Sequence, residues 1–441
     1  MSALDGHEGR PHNTNMQDPA GLIYDWNKAS GPQLRVSKRP LLNDETLRDG
    51  LQSPSATDPS IAKKLELLHL MEALAIDSVN LGLPGAGPRA QACVEALAKE
   101  IVGSKLRIRA NCAARTLESD IQPIADVVQA TGLEIEAATF LGSSSIRQYT
   151  EGWTLDFLLR TTEKAVRFAR GLGLPVMYVT EDTTRARPEV IKKLYTTAIE
   201  CGARAVVVCD TVGHIMPRGV HALVRFVVEE VVKPTGEPVR VDWHGHCDRG
   251  LAVVNSLVAY EAGADQVHGA AIGIGERVGN TPIDQVLVNL RLLGAAGYAD
   301  RDLTRLKDYV RAVSDAVGIS IPPNYPVFGA DAFRTATGVH AAAVIKAYRK
   351  DDPELADRVY SGVPSHWFGL DQKIEIGPMS GKSNVVFWLE KHGFEPTPER
   401  VERVFNRAKQ TDRLLTEDEI LEACADPYPS ETTNSQTHAL D

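Results

Sequence analysis

The chain has 441 residues, 43% of them hydrophobic and 24% charged. These are ordinary values for a soluble globular protein, and they exclude chain-wide disorder and a collagen-like repeat. The formal net charge of −10 speaks against a broad basic surface for nucleic acid or anionic membrane, while leaving room for a local basic pocket that takes an anionic metabolite.

Along the chain, residues 1–37 are polar and rich in Pro, Gly and Asn and read as an N-terminal arm, with Leu22, Ile23, Tyr24 and Trp26 as candidate anchors. This end lacks the apolar core of a signal peptide. No window of about 18 uncharged apolar residues predicts a membrane span. The six cysteines are scattered without a CxxC pair, so reduced thiols in a cytoplasm are expected. Residues 38–299 alternate between short β-rich runs and amphipathic stretches. The runs are predicted to end near Asp44, Leu83, Ala110, Phe140, Glu181, Asp210, His244 and Ala271. Helices are predicted over Ile61-Ala73 (apolar at Ile61, Leu65, Leu68 and Met71), Leu155-Leu172, Pro188-Cys201 and Gly219-Val232. Eight βα units over about 240 residues predict an α/β fold of the (β/α)8 TIM-barrel class. The structural alternative, an open doubly wound sheet, would carry a Gly-rich first turn. The turn here, Arg48-Asp49-Gly50-Leu51-Gln52, is not one. Residues 300–425, with helical runs Leu303-Val317 and Pro398-Gln410 and a Pro-rich break at Ile321-Pro322-Pro323-Asn324-Tyr325-Pro326, read as a smaller, mainly helical accessory region. Residues 426–441 read as a disordered tail.

In a barrel, chemistry collects where strands end. Polar residues stand there in Asp44-Glu45-Thr46-Leu47-Arg48-Asp49, Thr180-Glu181-Asp182, Cys209-Asp210-Thr211, Asp242-Trp243-His244-Gly245-His246 and Gly273-Ile274-Gly275-Glu276-Arg277-Val278-Gly279-Asn280. On a strand, His244 and His246 point the same way, and two imidazoles side by side suit a divalent metal. Asp49 would complete a His/His/carboxylate face, and Asn280 would add a carbonyl oxygen or a supporting hydrogen bond. Arg48 would stabilise an enolate or alkoxide oxygen; its alternative is a structural ion pair with Glu181 or Asp210. The glycines of the GIGERVGN run lack a dinucleotide-binding context and are read as letting backbone approach a ligand closely.

Taken together, DETLRDGLQ (Asp44 to Gln52), HGHCD (His244 to Asp248) and GIGERVGN resemble the DRE-TIM metallolyase superfamily, in its 2-isopropylmalate synthase and homocitrate synthase branch. The resemblance continues through Phe328-Gly329-Ala330-Asp331-Ala332-Phe333, Gly338-Val339-His340 and Ser380-Gly381-Lys382, and so covers roughly residues 38–424. It implies Asp49, His244 and His246 as ligands of zinc, manganese or magnesium, with Asn280 nearby. It places Gln52, Asn80, Ala138, Arg147 and Thr211 around a 2-oxo acid. Arg48 would polarise the keto oxygen, and Glu181 and His340 would move protons, His340 reaching a barrel mouth of its own or another subunit. Acetyl-CoA would be the co-substrate. The reaction implied is a Claisen condensation to a 2-substituted malate by an acyltransferase that converts acyl to alkyl on transfer, acting as a cytoplasmic homodimer on small molecules without nucleic acid or membrane. The family's leucine-sensing domain would need on the order of a hundred further residues, so leucine insensitivity is expected.

The sequence also departs from the family pattern. Leu51 stands where Glu usually follows RDG. An IE-x-G-x-P pattern reads Val79-Asn80-Leu81-Gly82-Leu83-Pro84, so an acid has become an amide. Ala138 and Arg147 occupy two places where histidines are usual, and Val179 one where serine is common. The metal set and Arg48 are kept while the acceptor's surroundings change, which predicts a different 2-oxo acid, bulkier or doubly anionic, such as phenylpyruvate or phosphonopyruvate. Arg147 would face the pocket or make only a surface pair. The alternatives are a carbon–carbon lyase of the hydroxymethylglutaryl-CoA lyase type, which RDGLQ matches, and a non-catalytic metabolite-binding barrel.

Overall fold

The computed structural model describes residues 22–24, 26 and 38–425. The rest of the expected arm, and the expected 426–441 tail, lie outside the described residues. Leu22, Ile23, Tyr24 and Trp26, expected as anchors, are exposed.

Eight parallel strands close in sequence order: β1 (Leu41–Asp44), β2 (Ser78–Asn80), β3 (Arg109–Arg115), β4 (Ile135–Gly142), β5 (Val176–Glu181), β6 (Ala205–Asp210), β7 (Arg240–Gly245) and β8 (Gln266–Gly269). The ring shuts where Asn43 pairs with His268. The helices between and after the strands are α1 (Ile61–Ala73), α2 (Pro88–Gly103), α3 (Glu118–Thr131), α4 (Ser145–Glu151), α5 (Leu155–Gly171), α6 (Pro188–Glu200), α7 (Pro217–Phe226), α8 (Ala252–Ala262), α9 (Ile283–Leu292) and α10 (Leu306–Val317). A strand covered on both faces reads as a continuous apolar run, and every residue of β6, AVVVCD, is buried. Thr154 starts α5 by accepting the Phe157 N–H, which supplies one of the partners a helix N-terminus lacks.

Several boundaries differ from the sequence expectation. β2 stops at Asn80 rather than near Leu83, because Pro84 already opens a 3-10 turn. Ala110 lies near the start of β3, not its end: between its two arginines RANCAAR is made of small residues, and it lacks the β-branched content that marks a strand. The helix expected over Gly219-Val232 is α7 followed by a π-helical stretch, Val227–Val232. The buried stripe of α1 is Lys64, Leu67, Leu68, Leu70 and Met71, with Ile61 exposed.

The largest change concerns α10. The chain divides into two compact units that part between Pro322 and Pro323, inside the Pro-rich break, so α10 belongs to the barrel and not to a region beginning at residue 300. Leu306, Tyr309, Val310, Val313 and Val317 on α10 are fully buried. The Tyr309 hydroxyl donates to Asp44 Oδ2 at 2.5 Å and lies 3.0 Å from Thr46 Oγ1.

The barrel interior has two kinds of wall. Around β7, β8, β1, β2 and β3 it is polar: Ser78 Oγ and Asn111 Nδ2 both donate to Asn43 Oδ1, at 2.7 and 2.6 Å, and Gln266 Nε2 donates to Ser78 Oγ. Around β4 to β6 it is mostly apolar, with Ala138, Met177, Ala205, Val207 and Cys209 packed together and Val179 against them, apart from Glu136, which meets Arg240.

The second unit contains α11 (Gly338–Tyr348), α12 (Pro353–Arg358), α13 (Lys382–Lys391), α14 (Pro398–Lys409) and α15 (Glu417–Cys424), with a parallel pair of two-residue strands, β9 (Arg334–Thr335) and β10 (Lys373–Ile374). Its core includes Val385, Trp388, Leu389, Val404 and Ile420. The two motifs noted there in the sequence meet: a Cβ on Gly338 would lie 2.8 Å from the Gly381 nitrogen, and buried Ser380 donates to Ala336 O at 2.8 Å. Among the described residues of the chain, no helix is long and apolar enough to cross a membrane.

Complete burial pushes the Asp44 carboxyl up to about 6, against the pull of hydrogen bonds from Thr46 and Tyr309. An acid whose pKa rises on folding holds a proton that the unfolded chain has released. Stability therefore falls as pH climbs from the unfolded value of roughly 3.9 toward about 6. Asp44→Asn is expected to flatten that part of the pH profile of urea-denaturation midpoints, and an unchanged slope would contradict the assignment. Tyr309→Phe, which strips Asp44 of a buried donor, should cost about 1–3 kcal/mol.

Candidate active site at the barrel mouth

A cavity of about 310 Å³ opens at the C-terminal ends of the strands. Nine of the twelve residues singled out from sequence line it: Arg48, Asp49, Gln52, Asn80, Ala138, Glu181, Thr211, His244 and His246. Glu45, His268 and Arg277 line it too, and Ala113, Phe140, Met177, Val179 and Val207 complete an apolar side.

The densest part is ionic. Asp49 Oδ2 lies 3.1 Å from His244 Nε2 and 3.8 Å from His246 Nε2, and the two imidazole nitrogens are 3.4 Å apart. Three lone-pair atoms converge, all on buried side chains. Burial, and then the neighbouring His244, pushes His246 down to about 4, so it is a neutral imidazole with a lone pair to offer. Burial alone would raise Asp49, but the Arg48 guanidinium and the His244 hydrogen bond outweigh it and hold Asp49 well below the usual carboxylate range. The donor set, two imidazoles and a carboxylate, fits a divalent cation. His246 Nδ1 is buried without a hydrogen-bond partner.

A second group, Glu45, His244 and His268, also brings ligand atoms together, but its members are engaged elsewhere. Arg48 Nε and Nη2 both donate to Glu45 Oε2, at 2.9 and 2.6 Å, Asn43 Nδ2 donates to Oε1 at 2.7 Å, and His268 Nε2 stands 3.4 Å from Asp242 Oδ2. Burial would lower His268, yet its two carboxylate neighbours bring it up to about 9. The same reciprocity brings Glu45 down to about 2: burial opposes it, and Arg48 and His268 prevail. Arg48 therefore pairs with Glu45 and Asp49, not with Glu181 or Asp210. Asp210 instead accepts Thr184 Oγ1 and the His214 N–H.

Glu45 and His268 were not singled out from sequence. The signal was alternation: Asn43/Glu45, Gln266/His268 and Arg240/Asp242/His244 are polar residues two apart, all facing one interior.

The other three candidates are not among the lining residues. Asn280 is fully buried; its Nδ2 donates to Ile274 O at 3.0 Å and its Oδ1 has no partner. Arg147 is 48% exposed at its side chain, 3.2 Å from Glu151, with its guanidinium over Trp153. His340 stands on α11 of the second unit, exposed and stacked on Tyr360 at 4.4 Å. The glycines of GIGERVGN are required by the loop itself. A Cβ at Gly279 (φ +94) would lie 1.7 Å from Gly273 O, and one at Gly275 (φ +152) 2.3 Å from Asn280 Nδ2.

A family model described as HMGL-like matches residues 39–313. Homocitrate synthase AksA of Methanopyrus kandleri is 33% identical over 373 residues, 84% of this chain and 87% of that protein. The 2-isopropylmalate synthase of Methylacidiphilum infernorum is 30% identical over 382 residues, 85% of this chain and 72% of that protein. Among solved structures, the HMG-CoA lyase from Brucella melitensis aligns with a TM-score of 0.52 at 16% identity, over 63% of this chain and 98% of that one. The hydroxymethylglutaryl-CoA lyase from Pseudomonas aeruginosa aligns at 0.51 and 19%, over 63% and 92%. At these identities the structural likeness is one of fold.

The two overlapping ligand groups make different predictions. In equilibrium dialysis against manganese or zinc, His246→Ala is expected to lose the tightly held ion, while His268→Gln keeps it. The opposite pattern would move the metal to Glu45, His244 and His268.

Proposed function

The chain belongs to the HMGL-like family, in its 2-isopropylmalate and homocitrate synthase-like branch, and from that premise we propose that it condenses acetyl-CoA with a 2-oxo acid to give a 2-substituted malate. The observation that carries the reading is the convergence of Asp49, His244 and His246 beside Arg48 in one cavity. A divalent ion held by those three residues, with Asn280 nearby, would supply Lewis acidity toward the keto and carboxylate oxygens. Two of the Arg48 nitrogens are taken by Glu45, which leaves Nη1, 3.4 Å from Asp49 Oδ2, to face the oxygen on which negative charge develops. Burial raises the pKa of Glu181, against the pull of Arg147 and Arg48, and a raised carboxylate is a better base for a proton of the acetyl methyl group. The methyl carbon then bonds to the keto carbon, the keto oxygen takes up a proton, and water cleaves the thioester to release CoA. Glu181 and His340 are the proton-transfer candidates, and Gln52 and Thr211 lie with the acid. The enzyme is read as a cytoplasmic homodimer.

The acceptor is read as a 2-oxo acid with a bulky apolar side chain, of the phenylpyruvate class. Ala113, Ala138, Met177, Val179 and Val207 form an apolar wall opposite the charged one. Both guanidiniums in the lining already face carboxylates, Arg48 that of Glu45 and Arg277 that of Asp248 at 2.8 Å. Arg147 does not line the cavity, so the support for a doubly anionic acceptor is weaker. The lyase alternative rests on fold, because the lyase structures align with 63% of the chain while the synthase relatives also span much of the second unit.

Thiol release from acetyl-CoA, measured against 2-oxoisovalerate, phenylpyruvate, phosphonopyruvate and 2-oxoglutarate, tests the reading. Phenylpyruvate should lead in kcat/KM by about 10- to 200-fold over 2-oxoisovalerate, the range that packing differences support. A lead for 2-oxoisovalerate would refute an altered acceptor, and a lead for a doubly charged acid would refute the apolar one. Arg48→Ala should lower kcat by roughly 100- to 1,000-fold, the cost of one lost oxyanion donor.

A further inference from the structure

On the reaction just proposed, Arg48 must turn one edge to the developing oxyanion while something holds the other. That other edge belongs to Glu45, whose Oε2 receives both Nε and Nη2. Glu45 is itself fixed: its side chain is 2% exposed, and Oε1 accepts Asn43 Nδ2 and lies 3.2 Å from His268 Nδ1. His268 is braced in turn by Asp242, to which Arg240 Nε donates at 2.8 Å. This row of buried groups leaves the Arg48 guanidinium little freedom.

The end of the second strand, beside β1, carries Asn80. Asn43 pairs with Ser78 and Asp44 with Val79. Continuing that register sets Glu45 beside Asn80, and both line the same cavity. A carboxylate on either strand can therefore address the same guanidinium edge. In this chain the Asn80 side-chain oxygen accepts the Gly82 N–H at 3.2 Å, and Asn80 brings no charge.

We infer that Glu45 is the residue that positions Arg48 for turnover, and that a carboxylate at position 80, on the neighbouring strand, would fill the same place. Acids at both places would crowd a third carboxylate against Glu45 and Asp49 in a buried mouth. With neither, Arg48 would lose the partner of two nitrogens and swing toward Asp49, drawing charge from the proposed metal ligand. Glu45 acts through Arg48 and is a positioning residue.

The test uses Glu45→Gln, Asn80→Glu and the double variant in the full-length protein. With the acceptor that wild type turns over fastest, Glu45→Gln should lower kcat by about 10- to 100-fold, the scale of a misplaced catalytic group, with KM moved less than about threefold, as for a group acting in the transition state. Adding Asn80→Glu should recover most of that loss, while Asn80→Glu alone should lower activity. A loss carried by KM, or a double variant no better than Glu45→Gln, overturns the inference. Urea-denaturation midpoints of the same variants decide whether position 80 fills that place without any turnover. The midpoint lost in Glu45→Gln returns in the double variant if the introduced carboxylate reaches Arg48, and stays lost if it does not. A wild type that turns over no acceptor would sink the proposed reaction, and the midpoints would still decide whether position 80 fills that place.

Discussion

Glu45 and Asp49 are both buried at the mouth of this barrel with the Arg48 guanidinium between them, 2.6 Å from one carboxylate and 3.4 Å from the other, and with His268 and His244 beside them. Taking a charge out of water costs several kcal/mol per ion, and removing one partner from a buried pair typically costs about 3–5 kcal/mol because the other is left uncompensated. The constraint propagates. Glu45 also faces His268, His268 faces Asp242, and Asp242 and Glu136 both face Arg240. Each group is tolerable because the next carries the opposite sign, and together they form the polar side of the interior.

That one-sidedness shapes the site. Most of the polar residues come from β7, β8, β1, β2 and β3, and strands β4 to β6 contribute mostly small and apolar ones, Glu136 on β4 and Glu181 on β5 being the charged exceptions. A substrate entering the mouth meets charge and imidazole on one flank and Ala138, Met177 and Val207 on the other. A molecule with an oxygen-rich head and an apolar body has one good orientation there. The cavity thus supplies alignment from its own asymmetry.

Much of this was legible in the sequence because barrels repeat. The βα period marked eight units, and the strand ends carried Asp49, His244 and His246, which the structure places within a few ångströms of one another. What was missed follows from what periodicity cannot see. Between its two arginines β3 is built of Ala, Asn and Cys, residues that pack closely in a barrel but carry little strand propensity. Helix α10 looked like the start of the accessory region because it follows the eighth strand, yet its Tyr309 is the buried partner of Asp44 on the first. Glu45 and His268 were invisible as a pair because they lie 223 positions apart and meet only when the ring closes through Asn43 and His268. Arg147 stood out by its departure from a motif, and residue type does not say which way a side chain leaves a short helix.

The claim at the centre is that this asymmetric mouth holds a 2-oxo acid in one orientation. A crystal structure of the protein grown with manganese and phenylpyruvate tests it most directly. Anomalous signal within bonding distance of Asp49, His244 and His246, with the acid's oxygens toward Arg48 and its ring against Ala138, Met177 and Val207, is the predicted result. A ring turned toward the histidines, or metal bound away from those three ligands, would contradict it.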